Sequence, residues 1–190
     1  RPSLMVENGG RIVEKLAVFG GKPVFEKKIG YGHQYIDDAD IQAVVDVLKS
    51  DFLTCGPKIN EAEAKLCEIT GAKHAVLISN GTAALHAACF AAGIGPGDEV
   101  ITTPITFAAS ANCALYCGGK PVFADINPET YNIAPDSIEK CITERTKAVV
   151  AVDFTGQAVE VQRIREICDK HNLIFIEDAA HSLGTRFNGK

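Results

Sequence analysis

The sequence predicts an α/β fold: a mostly parallel sheet with helices on both faces. From residue 74 onward, short apolar runs alternate with amphipathic stretches of helical length, the pattern of strand–helix–strand units. Gly-containing turns punctuate those units. Polar residues collect where the apolar runs end, and ligands of open α/β sheets bind outside the carboxyl ends of the strands.

The elements follow in order. Residues 1–16 are polar and Gly-rich and read as a flexible lead-in, and residues 17–72 as an N-terminal arm with helices. Residues 73–190 read as the α/β domain. Within the arm, Leu16–Phe25 is short and Gly-broken, and Ile29–Ile36 is an extended stretch crossing a surface. Asp37 and Asp38 are placed to cap a helix through about Leu48, with Ile41, Val44, Val45 and Leu48 on one face. Leu53–Pro57 is a loop, and Asn60–Thr70 is a second helix ended by Gly71. Strands are predicted at His74–Ser79, Glu99–Thr102, Pro121–Ala124, Lys147–Val152 and Leu173–Ile176. Helices are predicted at Thr82–Ala92, Thr106–Tyr116, Ala134–Ile142 and Val159–His171.

Composition narrows the class. The 190 residues suffice for one sizeable core, and 46% hydrophobic with 23% charged residues is ordinary for a globular protein. A net charge of −5 argues against nucleic acid or an anionic membrane as the main partner. No apolar run is long enough to span a bilayer. The seven cysteines are odd in number and lie mostly in helix-like or apolar stretches, which reads as reduced thiols and a cytoplasmic protein. Cys113 and Cys117 share a helix face, but no further Cys or His has ligand spacing, so no metal is expected.

The candidate site begins at HAVLISNGTAAL, residues 74–85. A strand feeding a tight Gly turn into a helix leaves the first helical N–H groups without partners. The helix dipole lies behind them, so they suit an anion such as phosphate. Thr82 adds a hydroxyl and Gly81 allows close approach to the backbone. The same residues also read as an ordinary corner with Thr82 as the helix cap. At the other strand ends lie Pro104–Phe107, Asp125, Asp153 and Glu177–His181. Phe107 can stack on a flat ring, or it is a core residue. Asp178 can face a protonated heterocyclic nitrogen, or it caps a following helix. His181, three residues on, would share that face on a helical turn and could donate to a cofactor oxygen, or it is a satisfied structural residue. Phosphate cradle, aromatic plate and carboxylate, in that order, are the parts that would hold pyridoxal 5′-phosphate. Neither a P-loop nor a G-x-G-x-x-G is present.

Several long motifs carry a resemblance: LAVFGGKPV, YGHQYID, DFLTCGPKINEAEAKL, ISNGTAALHAA, GPGDEVITTPITFAASANCALY, KPVFADI and IEDAAHSLG. Over about Leu16–Lys190 the chain is similar to the sugar aminotransferases of the DegT/DnrJ/EryC1/StrS family, fold-type I enzymes that use pyridoxal phosphate. Within that family, ITTPITFAASAN, VDFTGQ and KHNLIFIEDAAHSLG most resemble the transaminases that make UDP-4-amino-4,6-dideoxy-N-acetyl-β-L-altrosamine, a pseudaminic acid precursor.

The resemblance implies that Gly81 and Thr82 hold the phosphate, with Asn80 in a slot often filled by Ser. It implies that Phe107 stacks on the pyridine, that Asp178 binds the ring nitrogen and that His181 lies near the ring hydroxyl. Tyr31 falls where relatives offer an aromatic to a nucleotide-sugar, and Thr54 and Gly56 fall in the loop at the site's mouth.

The implied activity moves an amino group from glutamate to a UDP- or dTDP-linked keto-sugar, in a homodimer, for amino-sugar and surface polysaccharide synthesis. The family's Schiff-base lysine belongs to a later S-F-H-x-x-K-like motif that does not occur in these 190 residues. That lysine and the C-terminal small domain are therefore expected beyond Lys190, and the piece alone is expected to be inactive. Two other expectations stand beside this one. The first is a dehydratase of the same fold, with His in the lysine slot. The second is a non-catalytic sugar-nucleotide-binding module or half-enzyme.

Overall fold

The computed structural model describes residues 15–27, 30 and 32–189, in two units that meet in sequence at Thr54/Cys55. The first unit holds a 3-10 turn, Ala17–Phe19, and helix α1, Asp38–Leu48. As the sequence predicts, Asp37 caps α1. Its Oδ1 accepts from Ala39 N (2.9 Å) and Asp40 N (3.1 Å), and Asp40 Oδ2 accepts from Asp37 N (3.0 Å). The apolar residues Ile41, Val44 and Leu48 remain exposed on α1. Of the predicted arm, residues 32–36 have no regular structure, and Ile29 and Tyr31 lie outside the described residues.

The second unit begins with α2, Pro57–Thr70, three residues earlier than predicted because Pro57 is pre-shaped for the first helical position. Then come α3 (Gly81–Ala91), β1 (Glu99–Thr102), α4 (Ala109–Tyr116), β2 (Lys120–Phe123) and α5 (Pro135–Cys141). They are followed by β3 (Thr146–Val152), α6 (Val161–His171) and β4 (Ile174–Asp178). The four strands form one sheet in the order β2-β1-β3-β4, and every pairing is parallel. The predicted fold class is correct.

Side-chain alternation divides the core into two layers. On one face Ile101, Val149 and Ala151 pack with Ile133, Ile138 of α5 and Ile164, Ile167 and Cys168 of α6. On the other, Val100, Ala148 and Val150 pack with Leu85 and Cys89 of α3 and Cys113 and Ala114 of α4. Each buried Ile or Val contributes roughly 1.5–3 kcal/mol. The chain leaves β1 for β2 by way of α4, then crosses back to β3 on the other side of β1. That reversal makes the crevice above β1 and β3 the topological switch point, where such sheets take ligands.

Four predicted boundaries are corrected. His74–Ser79 is not a strand: it pairs with neither edge of the sheet among the described residues, and Leu77 N donates to Glu63 Oε1 of α2 (2.9 Å). Apolar composition alone does not make a strand without a ladder partner. Helix α4 starts at Ala109, not Thr106, because Pro104 and an Ile105 N–H bond to Thr103 Oγ1 hold residues 103–107 in a loop. Helix α6 starts at Val161, since Asp153 takes the Val159 N–H (2.9 Å). Strand β4 runs on to Asp178, paired through to Val152.

At the far end of the sheet, Glu99 is buried at the start of β1 and is a clamp the sequence reading did not single out. Its carboxylate accepts from Thr143 Oγ1 (2.6 Å), Arg145 Nη2 (2.9 Å) and Arg145 Nε (3.2 Å), with Lys120 3.7 Å away. Hydrogen bonds from Thr143 and then Arg145 hold it below the usual carboxylate range. All seven cysteines are free thiols, and Cys89, Cys113 and Cys168 are buried. Among the described residues no helix is long and apolar enough to cross a membrane.

A carboxylate with a lowered folded pKa stabilises above its unfolded pKa, about 4.3, and that contribution disappears as pH falls through the folded value. Glu99→Gln is expected to lower the urea midpoint at pH 7. Its own loss of stability on going to pH 4 should be smaller than the wild type's. Equal midpoints at pH 7 would show that the clamp is idle.

Candidate functional site

Helix α3 begins as a cradle would. Asn80, not Thr82, is its cap: Asn80 Oδ1 accepts from Ala83 N (2.9 Å) and its carbonyl from Ala84 N (3.0 Å). Of the orphan N–H groups, that of Ala83 is thereby used, and the Ala84 bond is the first regular one of the helix. Those of Gly81 and Thr82 have no protein partner among the described residues. A Cβ built on Gly81 meets nothing within 4 Å, so a group can come close to the backbone there. Two free N–H groups, the half-buried Thr82 with its hydroxyl, and a helix dipole suit a phosphate.

Asp178 ends β4 with no helix following, so the capping alternative does not hold. Its side chain lies on the α4 side of the sheet. Oδ2 accepts from Ser110 Oγ (2.7 Å) and Oδ1 from Ala180 N (3.3 Å). Ser110 is fully buried on the first turn of α4, and its Oγ is 2.8 Å from Thr106 Oγ1. Its N–H donates to Phe107 O (3.1 Å). The structure thus ties Phe107 and Asp178 together through Ser110. Phe107 is 75% exposed and belongs to neither core cluster among the described residues.

His181 is exposed, on a turn rather than a helix, so it does not repeat Asp178's face by helical spacing. Its peptide is nonetheless held. Ser182 Oγ donates to Asp153 Oδ2 (2.6 Å) and Thr185 Oγ1 to Gly156 O (3.0 Å). Asp153 N donates to Asp178 O (3.2 Å). Asp153 is accordingly a buried bracket with both oxygens engaged, by Val159 N and Ser182 Oγ. Asp125 is a local turn residue, its Oδ1 accepting from Ile126 N (2.8 Å). Thr54, in the first unit, is exposed, and Gly56, in the second, caps α2 with ordinary extended angles. Tyr31 lies outside the described residues.

Sequence reasoning missed Ser110. Thr106 and Ser110 are four residues apart, but Thr106 lies in the loop before α4, so helical spacing does not pair them and no local signal marks Ser110. It also missed Asn132, buried, whose Nδ2 donates to Gln157 O and Ala158 O while Oδ1 accepts from Phe154 N. That amide shapes the turn after β3.

On the opposite side of β4, a cleft of ≈ 960 Å³ is lined by Glu177, Asp153, Arg165 and Ser182, among others. Burial, then the adjacent Asp153, pushes the Glu177 carboxyl up to about 6, with Arg165 opposing.

A profile of the DegT/DnrJ/EryC1/StrS aminotransferase family matches residues 34–190. The chain is 45% identical over 157 residues to the spore coat polysaccharide biosynthesis protein SpsC of Bacillus subtilis, spanning 83% of this chain and 40% of that protein. Among solved structures, Helicobacter pylori PseC, an aminotransferase involved in the biosynthesis of pseudoaminic acid, aligns with TM-score 0.81 and 40% identity. That alignment covers 86% of this chain and 44% of PseC. Bacillus subtilis NtdA with bound cofactor PMP aligns with TM-score 0.73 and 36% identity, over 76% of this chain and 33% of NtdA. The chain thus spans about two fifths of the length of the curated relatives it matches.

Two expectations follow from this geometry. Gly156 has φ 90°, and a Cβ there would sit 2.8 Å from His181 O. Gly156→Ala should cost roughly 1–3 kcal/mol and speed amide exchange at Ala180–Ser182. Unchanged exchange would mean that Gly156 does not seat the His181 turn. A raised carboxyl binds its proton more tightly in the folded chain, so stability falls as pH rises from about 4.3 to about 6. Glu177→Gln should therefore out-stabilise the wild type more at pH 7.5 than at pH 5, measured by urea midpoints. A gap independent of pH would contradict the shift.

Proposed function

The chain belongs to the DegT/DnrJ/EryC1/StrS aminotransferase family, with the α/β sheet of fold-type I aminotransferases. From that premise we propose that it is the cofactor-cradling portion of a pyridoxal-phosphate-dependent sugar aminotransferase. The transfer runs from glutamate to a keto-sugar nucleotide, for amino-sugar and polysaccharide biosynthesis. The likeness to PseC and the wording of VDFTGQ and KHNLIFIEDAAHSLG favour a UDP-linked 4-keto sugar of the altrosamine type. The enzyme would work in the cytoplasm as a homodimer, with 73–190 as its cofactor-binding domain. Tyr31, Thr54 and Gly56 would lie toward the sugar nucleotide.

One observation carries the reading: Asp178, at the end of a strand, has its carboxylate fixed by Ser110 Oγ and Ala180 N. An ionised carboxylate is acceptor-only, with about four lone-pair sites, and two are used here. The remaining capacity suits a protonated ring nitrogen. When bound, pyridoxal phosphate supplies the electron sink that lets an amino group move between carbon skeletons. The chain's own residues do the holding. Gly81 and Thr82 N–H and the Thr82 hydroxyl take the phosphate, and Asn80 fixes the start of α3. The Phe107 ring covers one face of the pyridine. Asp178 keeps the ring nitrogen protonated by favouring the cation beside it. His181 donates toward the ring hydroxyl.

Titrating pyridoxal 5′-phosphate into the chain tests this, with inorganic phosphate as competitor. Asp178→Asn and Thr82→Ala are each expected to weaken binding about tenfold. No binding by the wild type, or full affinity in both variants, would overturn the assignment.

A further inference from the structure

We propose that Ser110 and Thr106 form a hydroxyl relay that orients the Asp178 carboxylate, making Ser110 a positioning residue of the cofactor site. The inference rests on the function proposed above.

The direction of the relay follows from counting protons. Ser110 Oγ carries one hydrogen, and Asp178 Oδ2, 2.7 Å away, accepts it. The 2.8 Å contact between Thr106 Oγ1 and Ser110 Oγ must then be donated by Thr106. The chain of donation runs Thr106 to Ser110 to Asp178, and each bond polarises the next. Ser110 is 0% exposed, so water does not compete for its hydroxyl.

The same residue acts twice. Its backbone N–H holds Phe107 O at 3.1 Å, while its side chain holds Asp178. One buried residue on the first turn of α4 therefore fixes the spacing between the group that covers the ring face and the group that meets the ring nitrogen. The contact with Asp178 spans 68 positions of sequence, so it joins α4 to the end of β4 directly. Without it, the carboxylate keeps only the 3.3 Å contact from Ala180 N, on its other oxygen, and is free to turn about its last bond.

Ser110→Ala separates the two actions, because it removes the hydroxyl and keeps the N–H bond to Phe107. The test uses the 190-residue chain with two probes. One is pyridoxal 5′-phosphate labelled with 15N in the ring; the other is its 1-deaza analogue, which has CH in place of the nitrogen. The expected result is about tenfold weaker binding of pyridoxal phosphate to Ser110→Ala, with the analogue bound as by the wild type. The 15N signal of the bound ring should move toward its unprotonated position. Thr106→Val, changed at a half-buried loop residue, should give the same pattern at about threefold, and it carries the test if Ser110→Ala does not fold.

Equal losses for both probes would make Ser110 a merely structural residue and overturn the proposal, as would an unmoved ring signal. A wild-type chain that binds the two probes equally well would instead overturn the assignment of Asp178 to the ring nitrogen, and this inference with it.

Discussion

The parallel register of β3 and β4 is the constraint on which the site depends. Val152 lies beside Asp178 at the end of that ladder, and Asp153 N donates to Asp178 O just beyond it. Side chains alternate along a strand, so this register sends Asp178 toward α4 and Glu177 toward Asp153 on the other side. A slip of one residue would exchange the two carboxylates and put Glu177 where Ser110 waits. The slip is opposed by hydrophobic burial on both faces, since Val149, Val150 and Ala151 are each fully buried. Packing, rather than any contact within the site, thereby decides which acid meets the crevice.

Much of this was legible in the sequence because it is local. Glu99–Thr102 is a short stretch with two β-branched apolar residues at its centre, between turn signals, and the strand matches it residue for residue. Asp37 announces α1 through its own side chain. The location of the site also follows from a rule about strand ends that needs no coordinates. What escaped depends on partners far along the chain. His74–Ser79 has the composition of a strand, but a strand is a pairing, and the described residues offer it none. The start of α4 was misplaced because Thr103 and Pro104 hold the loop in ways that helix periodicity does not register. Ser110 was invisible as a functional residue: nothing in its neighbourhood in sequence indicates that Asp178 will arrive beside it.

The two carboxylates at the ends of β3 and β4 divide the work by their surroundings. Asp153 is enclosed and spends both oxygens on the protein's own N–H and hydroxyl groups, which stitches the segment after β4 to the turn after β3. Asp178 also accepts one bond on each oxygen, but it is only half-buried at the end of β4. Residue type and the number of accepted hydrogen bonds are the same for both, and burial is what distinguishes them.

The caps of α1 and α3 differ in charge. The start of α1 carries Asp37, Asp38 and Asp40, three carboxylates that cancel the partial positive charge of the helix end. Helix α3 has no acidic residue in its first turn, and its cap, Asn80, is neutral. Asn and Asp cap about equally well, so the choice costs α3 little stability. It leaves the local potential at Gly81 and Thr82 positive in a chain whose net charge is −5. An incoming anion repelled by most of this surface would find there a small region of attraction, kept by the absence of a single negative charge.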